Sequence, residues 1–108
     1  MTVNELKNAL QLKTVSLPSP DREVCGAYCG DLLSWVMGRA QENNVWITIM
    51  SNINTVAVAA LADVSCIIVA EDVQLEESVV ATAAEKQINI LSSTMPIFET
   101  AVAVSKLI

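Results

Sequence analysis

The sequence predicts an α/β domain built on a mainly parallel sheet with helices on its faces. From residue 45 onward, short apolar segments alternate with longer segments whose apolar residues recur at helical spacing. Helical crossovers between consecutive strands place those strands parallel in one sheet. Hydrophobic residues make up 53% of the chain and charged residues 17%, which favours a packed core over a disordered segment. For 108 residues we expect one domain, spanning residues 1–108.

The first half of the chain predicts two helices and three strands. Thr2 and Glu5 have the spacing of a capping box, and apolar residues then recur at helical intervals. Pro18 and Pro20 end the following strand, because each proline pushes its predecessor out of the helical region. An alternating segment, a helix after Gly30-Asp31 and a strand rich in β-branched and aromatic residues complete this half. The predicted elements are helix 2–10, strand 13–17, strand 23–29, helix 31–40 and strand 45–50.

The second half predicts three helices and two strands. Asn54 can cap a helix through Ala62. The next apolar run lacks alternation, as strands covered on both faces do, so we expect it at the centre of the sheet. A helix with separate apolar and acidic faces follows, then a short strand, and Pro96 introduces the last helix. The predicted elements are helix 54–62, strand 65–70, helix 75–86, strand 88–91 and helix 96–107.

Charge and missing residue types exclude several functions. Six basic against twelve acidic residues give a net charge of −6, so no cationic surface is expected for nucleic acid. The chain has no histidine, which excludes the Ser-His-Asp and Cys-His relays and the H-E-x-x-H zinc motif. Neither the P-loop pattern nor G-x-G-x-x-G occurs. We therefore expect neither an enzyme nor a bound cofactor.

The sequence also predicts a cytoplasmic location. Polar residues interrupt the first twenty positions, which therefore lack the pattern of a signal peptide. The longest apolar region, 56–70, contains Asp63 and Ser65 and falls short of the roughly 20 residues that cross a bilayer. A membrane partner is not expected.

One segment carries a family resemblance. Residues 21–37 read DREVCGAYCGDLLSWVM, and together with 45–48 (VWIT) and 54–59 (NTVAVA) they resemble the DRTGG-domain family. Asp21 and Arg22 match the start of the motif that names the family, although no Thr-Gly-Gly follows them directly.

The resemblance implies a fold like that of the amino-terminal domain of HPr kinase/phosphorylase, in a regulatory or dimerising role. Related domains accompany CBS domains, and stand-alone copies accompany iron-only hydrogenases. The kinase chemistry of the larger relatives resides in a separate P-loop domain, so it is not carried over. The expected function is a non-enzymatic, homodimeric regulatory or scaffold module that binds a small polar ligand or a partner enzyme, for example one of hydrogenase type.

The three cysteines, Cys25, Cys29 and Cys66, support an alternative. Cytoplasmic thiols can ligate an iron–sulfur cluster, but a four-cysteine cluster needs one ligand more than the chain possesses. The alternative function is therefore a redox accessory protein whose cluster is shared between subunits. The simpler interpretation is that these thiols are buried or inert.

Two groups of polar residues are candidates for ligand binding. Asp21 and Arg22 follow the proline turn, where Arg22 either binds an anion or anchors the loop. Ligands in parallel sheets bind beyond the carboxyl ends of the strands, where helix amino termini converge. Helix capping is the alternative role for the polar residues there. The strand-end candidates are Ser51, Asn52, Glu71, Asp72, Ser92, Ser93 and Thr94.

The apolar residues Trp35, Met37 and Trp46 are candidates for a subunit interface. In a chain of negative charge, exposed aromatic residues suit a protein contact better than a platform for nucleic-acid bases. Two-fold pairing is the commonest arrangement, so a homodimer is expected.

Overall fold

The computed structural model describes residues 1–108 and contains one five-stranded sheet with helices on both faces. The helices are α1 (Val3–Leu10), α2 (Leu33–Arg39), α3 (Ile53–Ala62), α4 (Glu77–Glu85) and α5 (Ile97–Ser105). The strands are β1 (Lys13–Ser16), β2 (Ala27–Cys29), β3 (Val45–Thr48), β4 (Cys66–Val69) and β5 (Ile90–Ser92). This architecture confirms the predicted α/β class.

The strand order is β1-β5-β4-β3-β2. Strands β2 to β5 are parallel and adjacent in chain order, while β1 pairs antiparallel with β5 at one edge. Strand β4 lies at the centre, as its continuous apolar run predicted. The carboxyl ends of β2 to β5 therefore share one edge of the sheet, and the loops that follow them share it too.

Two hydrophobic cores sandwich the sheet. Helices α2, α3 and α4 pack on one face, around Trp46, Ile67 and other side chains of the strands. Helices α1 and α5 pack on the other face, around Ile47, Ile68 and their neighbours. Successive side chains of a strand point to opposite faces, so the uninterrupted apolar runs of β3 and β4 supply both cores.

The element bounds differ from the predicted ones where tertiary contacts decide them. The segment 23–29 forms a strand only from Ala27, because Gly26 adopts a positive φ of 72° and breaks the extended run. Asn52, not Asn54, caps α3, accepting hydrogen bonds from the amides of Asn54 and Thr55. The capping box of Thr2 and Glu5 is present, as predicted.

None of the five helices has the length and apolar character needed to cross a membrane.

Candidate functional site

A polar crevice opens at the edge of the sheet where β3 and β4 end. It lies between the first turns of α3 and α4 and has a volume of about 410 Å³. Ser51 and Asn52 line it from the β3 side, as the sequence predicted for strand-end residues. Its other lining residues are Ile53, Gln74, Glu76, Ser78 and Val79.

The two helix ends at this crevice differ in how their amides are paired. At α3, the Asn52 side chain accepts from the amide of Asn54 at 2.9 Å and from that of Thr55 at 3.2 Å. At α4, Glu76 is the N-cap and its side chain forms no capping bond. The amides of Glu77 and Ser78 donate to no acceptor within the chain. The crevice, which Glu76 and Ser78 line, therefore adjoins a helix start with unpaired N–H donors, beside hydroxyl and amide side chains.

Sequence reasoning missed Gln74, Glu76 and Ser78 as crevice residues. They lie several positions beyond the end of β4, whereas the prediction considered only residues that directly follow a strand. The change from apolar to acidic residues before α4 was visible in the sequence. Only the path of the β4–α4 loop shows that this segment lies beside Ser51.

Glu71 and Asp72 do not line this crevice. The helices that follow β4 and β5 lie on opposite faces of the sheet, which is the arrangement that opens a crevice in many α/β folds. Here the two loops are hydrogen-bonded to each other: the Glu71 amide donates to Met95 O and the Asp72 amide to Ser93 O, both at 2.9 Å. These backbone hydrogen bonds close the space between the two loops where such a crevice would otherwise open.

The Glu71 carboxylate also caps α5. Its Oε2 accepts from the amide of Ile97 at 2.7 Å, so it lies where an anion would bind at the start of that helix. Glu71 and Asp72 both have positive φ, 64° and 54°, which turns the loop toward β5. The structure therefore shows Glu71 as a helix cap, which was the alternative to ligand binding for the strand-end residues.

Ser92, Ser93 and Thr94 line a separate cavity of about 300 Å³ with residues 10–13. The Ser93 hydroxyl is buried, lies 2.9 Å from Thr100 Oγ1 and accepts from the Met95 amide. These contacts fix the start of α5, whose N-cap is Pro96. The strand-end candidates therefore divide between two cavities and a closed loop, rather than surrounding one ligand.

Arg22 lies at the opposite edge of the sheet and anchors a loop. Its Nη2 donates to Asp63 Oδ1 at 2.7 Å and to Asp63 O at 2.6 Å. Its Nε and Nη2 both donate to Asn43 Oδ1. Asp21 is exposed and takes no part in this network. The structure thus shows Arg22 in the anchoring role that the sequence left open.

The cysteines do not converge on a metal site. Cys25 and Cys29 are exposed and Cys66 is buried in β4. No group of three His, Cys, Asp or Glu side chains is arranged to hold a metal ion. Partial desolvation of the Cys29 thiol on the otherwise exposed residue, together with the negative charge of Asp31, raises its pKa, which disfavours the thiolate that a cluster requires. The inclusion of Cys66 among ligands shared between subunits was wrong, because core packing keeps it from any surface.

Burial raises the pKa of the Cys66 thiol from 9.0 to about 12. The unfolded chain releases this proton above pH 9 and the folded chain holds it, so the free energy of unfolding should fall as pH rises from 9 to about 12. Urea unfolding at about pH 8 and about pH 10 measures the fall. In Cys66→Ala the dependence should be shallower, and an equal slope in both proteins would contradict the assignment.

Of the predicted interface residues, Trp35 and Met37 are half exposed, on α2. Trp46 is fully buried, and its Nε1 donates to Gly30 O at 2.9 Å. The prediction that Trp46 contributes to a subunit interface was therefore wrong. Strand β3 lies one position in from the sheet edge, and its side chains are enclosed by helices on both sides.

The fold and the crevice together define a three-layer α/β domain with a polar opening at the carboxyl edge of its sheet. Residues 29–107 match the model of the DRTGG domain, so the chain belongs to the DRTGG domain family. Asp21 and Arg22 lie before the matched residues. This match confirms the resemblance noted from the sequence, and the residues that carry the match begin at Cys29.

A similar solved structure comprises the CBS and DRTGG domains of the regulatory region of Clostridium perfringens pyrophosphatase, complexed with its activator diadenosine tetraphosphate. The TM-score is 0.72 at 13% sequence identity, with 95% of this chain and 45% of that chain covered. This chain thus spans less than half of that structure, and the likeness concerns the fold. A comparison with curated proteins finds no match.

Proposed function

We propose that this chain is a non-catalytic regulatory module, acting as a cytoplasmic homodimer, that binds a small uncharged polar ligand in the crevice between α3 and α4. The observation that supports this most strongly is the pair of unpaired amides at the start of α4, the helix end whose Glu76 and Ser78 line the polar crevice. Family membership supports a regulatory role, since the similar pyrophosphatase structure is itself a regulatory region.

The charges around the crevice favour an uncharged ligand. Glu76 lines it, Glu71 and Asp72 lie on the same loop, and the whole chain carries a net charge of −6. These groups oppose a phosphate, while Ser51, Gln74 and Ser78 can exchange hydrogen bonds with hydroxyl or amide groups. A ligand bound here would contact the loops after two adjacent strands, and its signal would pass to a partner enzyme. The expected partner is of the iron-only hydrogenase type that stand-alone relatives accompany.

Native mass spectrometry and thermal unfolding test the crevice. We expect purified protein to carry a reproducible small excess mass, and Ser78→Tyr to abolish it because the larger side chain fills the space. Saturation at about 100 times Kd would stabilise the fold by about 2.7 kcal/mol, which is a measurable rise in Tm. Ser105→Tyr, at an exposed position of α5, is the matched control and should retain the ligand.

Adenosine and diadenosine tetraphosphate are a useful pair of probes, because they share base and ribose and differ in charge. A rise in Tm with the tetraphosphate, lost in Ser78→Tyr, would contradict the uncharged class. An excess mass that persists in Ser78→Tyr would show that the ligand binds outside the crevice.

A further inference from the structure

Strand β2 is one edge of the sheet, and its outer side has no strand beside it. Its inner side bonds to β3: the carbonyl of Gly26 accepts from the Val45 amide at 3.0 Å, and the amide of Gly30 donates to a carbonyl of β3 at 3.2 Å. Backbone groups of successive strand residues point to alternate sides, so those of Ala27 and Cys29 point away from β3. No hydrogen bond from a turn, loop or helix reaches them. The edge therefore presents two free N–H donors and two free carbonyl acceptors.

The two edges of the sheet differ in how they resist pairing with another strand. Strand β1 begins with Lys13, contains a bulge after Thr14 and is followed by Pro18. Charged residues, bulges and prolines are features by which proteins keep edge strands from pairing. The segment 24–30 around β2 reads VCGAYCG and contains no charged residue and no proline. In a chain of net charge −6, this uncharged edge lets a second copy approach with little repulsion.

We propose that two copies of this chain pair through β2, antiparallel, about a two-fold axis at Tyr28, so that their sheets join into one. This inference rests on the homodimer proposed above and assigns its surface. Ala27 then faces Cys29 of the partner subunit, and Cys29 faces the partner's Ala27. Each of these pairs exchanges two N–H···O bonds, so four hydrogen bonds use every free group of the edge.

The free backbone groups favour this register over its two-fold alternatives. An axis at Ala27 would pair Cys29 with Cys25 of the partner subunit, but the amide and carbonyl of Cys25 already bond within the chain. An axis at Cys29 would pair Ala27 with the partner's Asp31, which lies beyond the end of β2. Each alternative keeps two hydrogen bonds across the axis, whereas the axis at Tyr28 gives four.

The side chains beside this edge suit the same pairing. Cys29 lines an open apolar groove of about 300 Å³ with residues of α5 that include Phe98. Alternate side chains share one face of a strand, so Ala27 lies on the same face as Cys29, and both are small. In the pair, the partner's Ala27 comes next to this groove and to Phe98, which is 72% exposed in the single subunit. On the other face, Tyr28 meets Tyr28 of the partner subunit as a cross-strand aromatic pair.

Hydrogen exchange and sedimentation of the full chain test the pairing. Strand β2 has three residues, and interfaces below about 1,200 Å² in total are typical of weak, reversible complexes, so we expect a micromolar monomer–dimer equilibrium. The amides of Ala27 and Cys29 are free in the monomer, so their exchange should slow about tenfold once about nine-tenths of the chains are dimeric. The Gly30 amide is the reference, because it is bonded to β3 in both states.

Two double variants test the register. Ala27→Lys with Cys29→Lys places like charges opposite each other twice, so we expect a dimer dissociation constant raised about a hundredfold. Ala27→Lys with Cys29→Glu places opposite charges across the axis and should keep that constant within about threefold of the wild type. Both positions are exposed, so both variants should fold, which circular dichroism verifies. Ala81→Lys with Ala84→Lys adds two charges at exposed positions of α4 and should leave dimerisation unchanged.

The opposite responses of the two double variants are the decisive readout. A wild-type chain that stays monomeric at all concentrations would overturn both the homodimer and this surface. A dimer that survives both variants, with exchange at Ala27 and Cys29 independent of concentration, would overturn the β2 pairing and leave the homodimer intact. Equal weakening by both variants would overturn the axis at Tyr28. Binding in the crevice is measured separately through Ser78→Tyr, so its failure would not be confused with any of these.

Discussion

Replacing Trp46 with alanine should lower the free energy of unfolding by about 3–5 kcal/mol, the range for truncating a large buried aromatic residue. Trp46 is fully buried in the core beneath α2, α3 and α4, and its indole nitrogen donates to Gly30 O at 2.9 Å. The substitution leaves a cavity and an unpaired carbonyl at the start of the β2–α2 loop. Urea unfolding followed by circular dichroism measures the loss.

Two further variants separate the causes of this effect. Trp46→Phe keeps most of the volume and removes the hydrogen bond, so a smaller loss of about 1–2 kcal/mol is expected. Phe98→Ala removes an aromatic side chain that is 72% exposed on α5 and should change stability by less than about 1 kcal/mol. Similar losses in Phe98→Ala and Trp46→Ala would show that the burial assigned to Trp46 is wrong.

Replacing Asn89 with alanine should destabilise the fold by about 3 kcal/mol, because buried polar groups would lose their partners. The Asn89 side chain is buried, accepts from the Ser19 amide at 2.9 Å and donates to Ser19 O at 2.7 Å. It also donates to Ser65 O at 3.0 Å, just before β4. One amide thus attaches the proline turn to the centre of the sheet.

Chemical denaturation of Asn89→Ala beside Asn8→Ala measures this contribution. Asn8 is exposed on α1, and its side chain accepts only a 3.5 Å bond from Lys7, so its replacement should have little effect. Equal midpoints for the two variants would show that Asn89 does not hold the turn. A selective loss for Asn89→Ala, with rapid proteolysis near residue 19, is the expected pattern.

The sequence could predict the order of elements because each carries a local signal. The apolar run of β4 has no alternation, and such a strand is stable only with helices on both faces, which places it at the centre. Thr2 and Glu5 fix the start of α1 through bonds between near neighbours, so a span of four residues suffices to reveal them. The alternating pattern predicted a strand from residue 23, whereas the left-handed backbone at Gly26 limits β2 to Ala27–Cys29.

The candidate site was less predictable because its members meet across the sheet edge. Ser51 and Asn52 were found as strand-end residues, but their neighbours Gln74 and Ser78 reach the crevice only through the path of the β4–α4 loop. Glu71 was found as a polar residue, and its role as a cap depends on the amide of Ile97, 26 positions away.

The sequence by itself determined the α/β class, the central position of β4 and the family resemblance, because periodicity, capping and composition act between neighbouring residues. Only the tertiary structure decided that Trp46 is core while Trp35 is surface, although both are tryptophans in apolar surroundings of the chain. Their difference depends on which elements cover them: β3 is enclosed by two layers of helices, and the outer face of α2 is covered by nothing in its own chain.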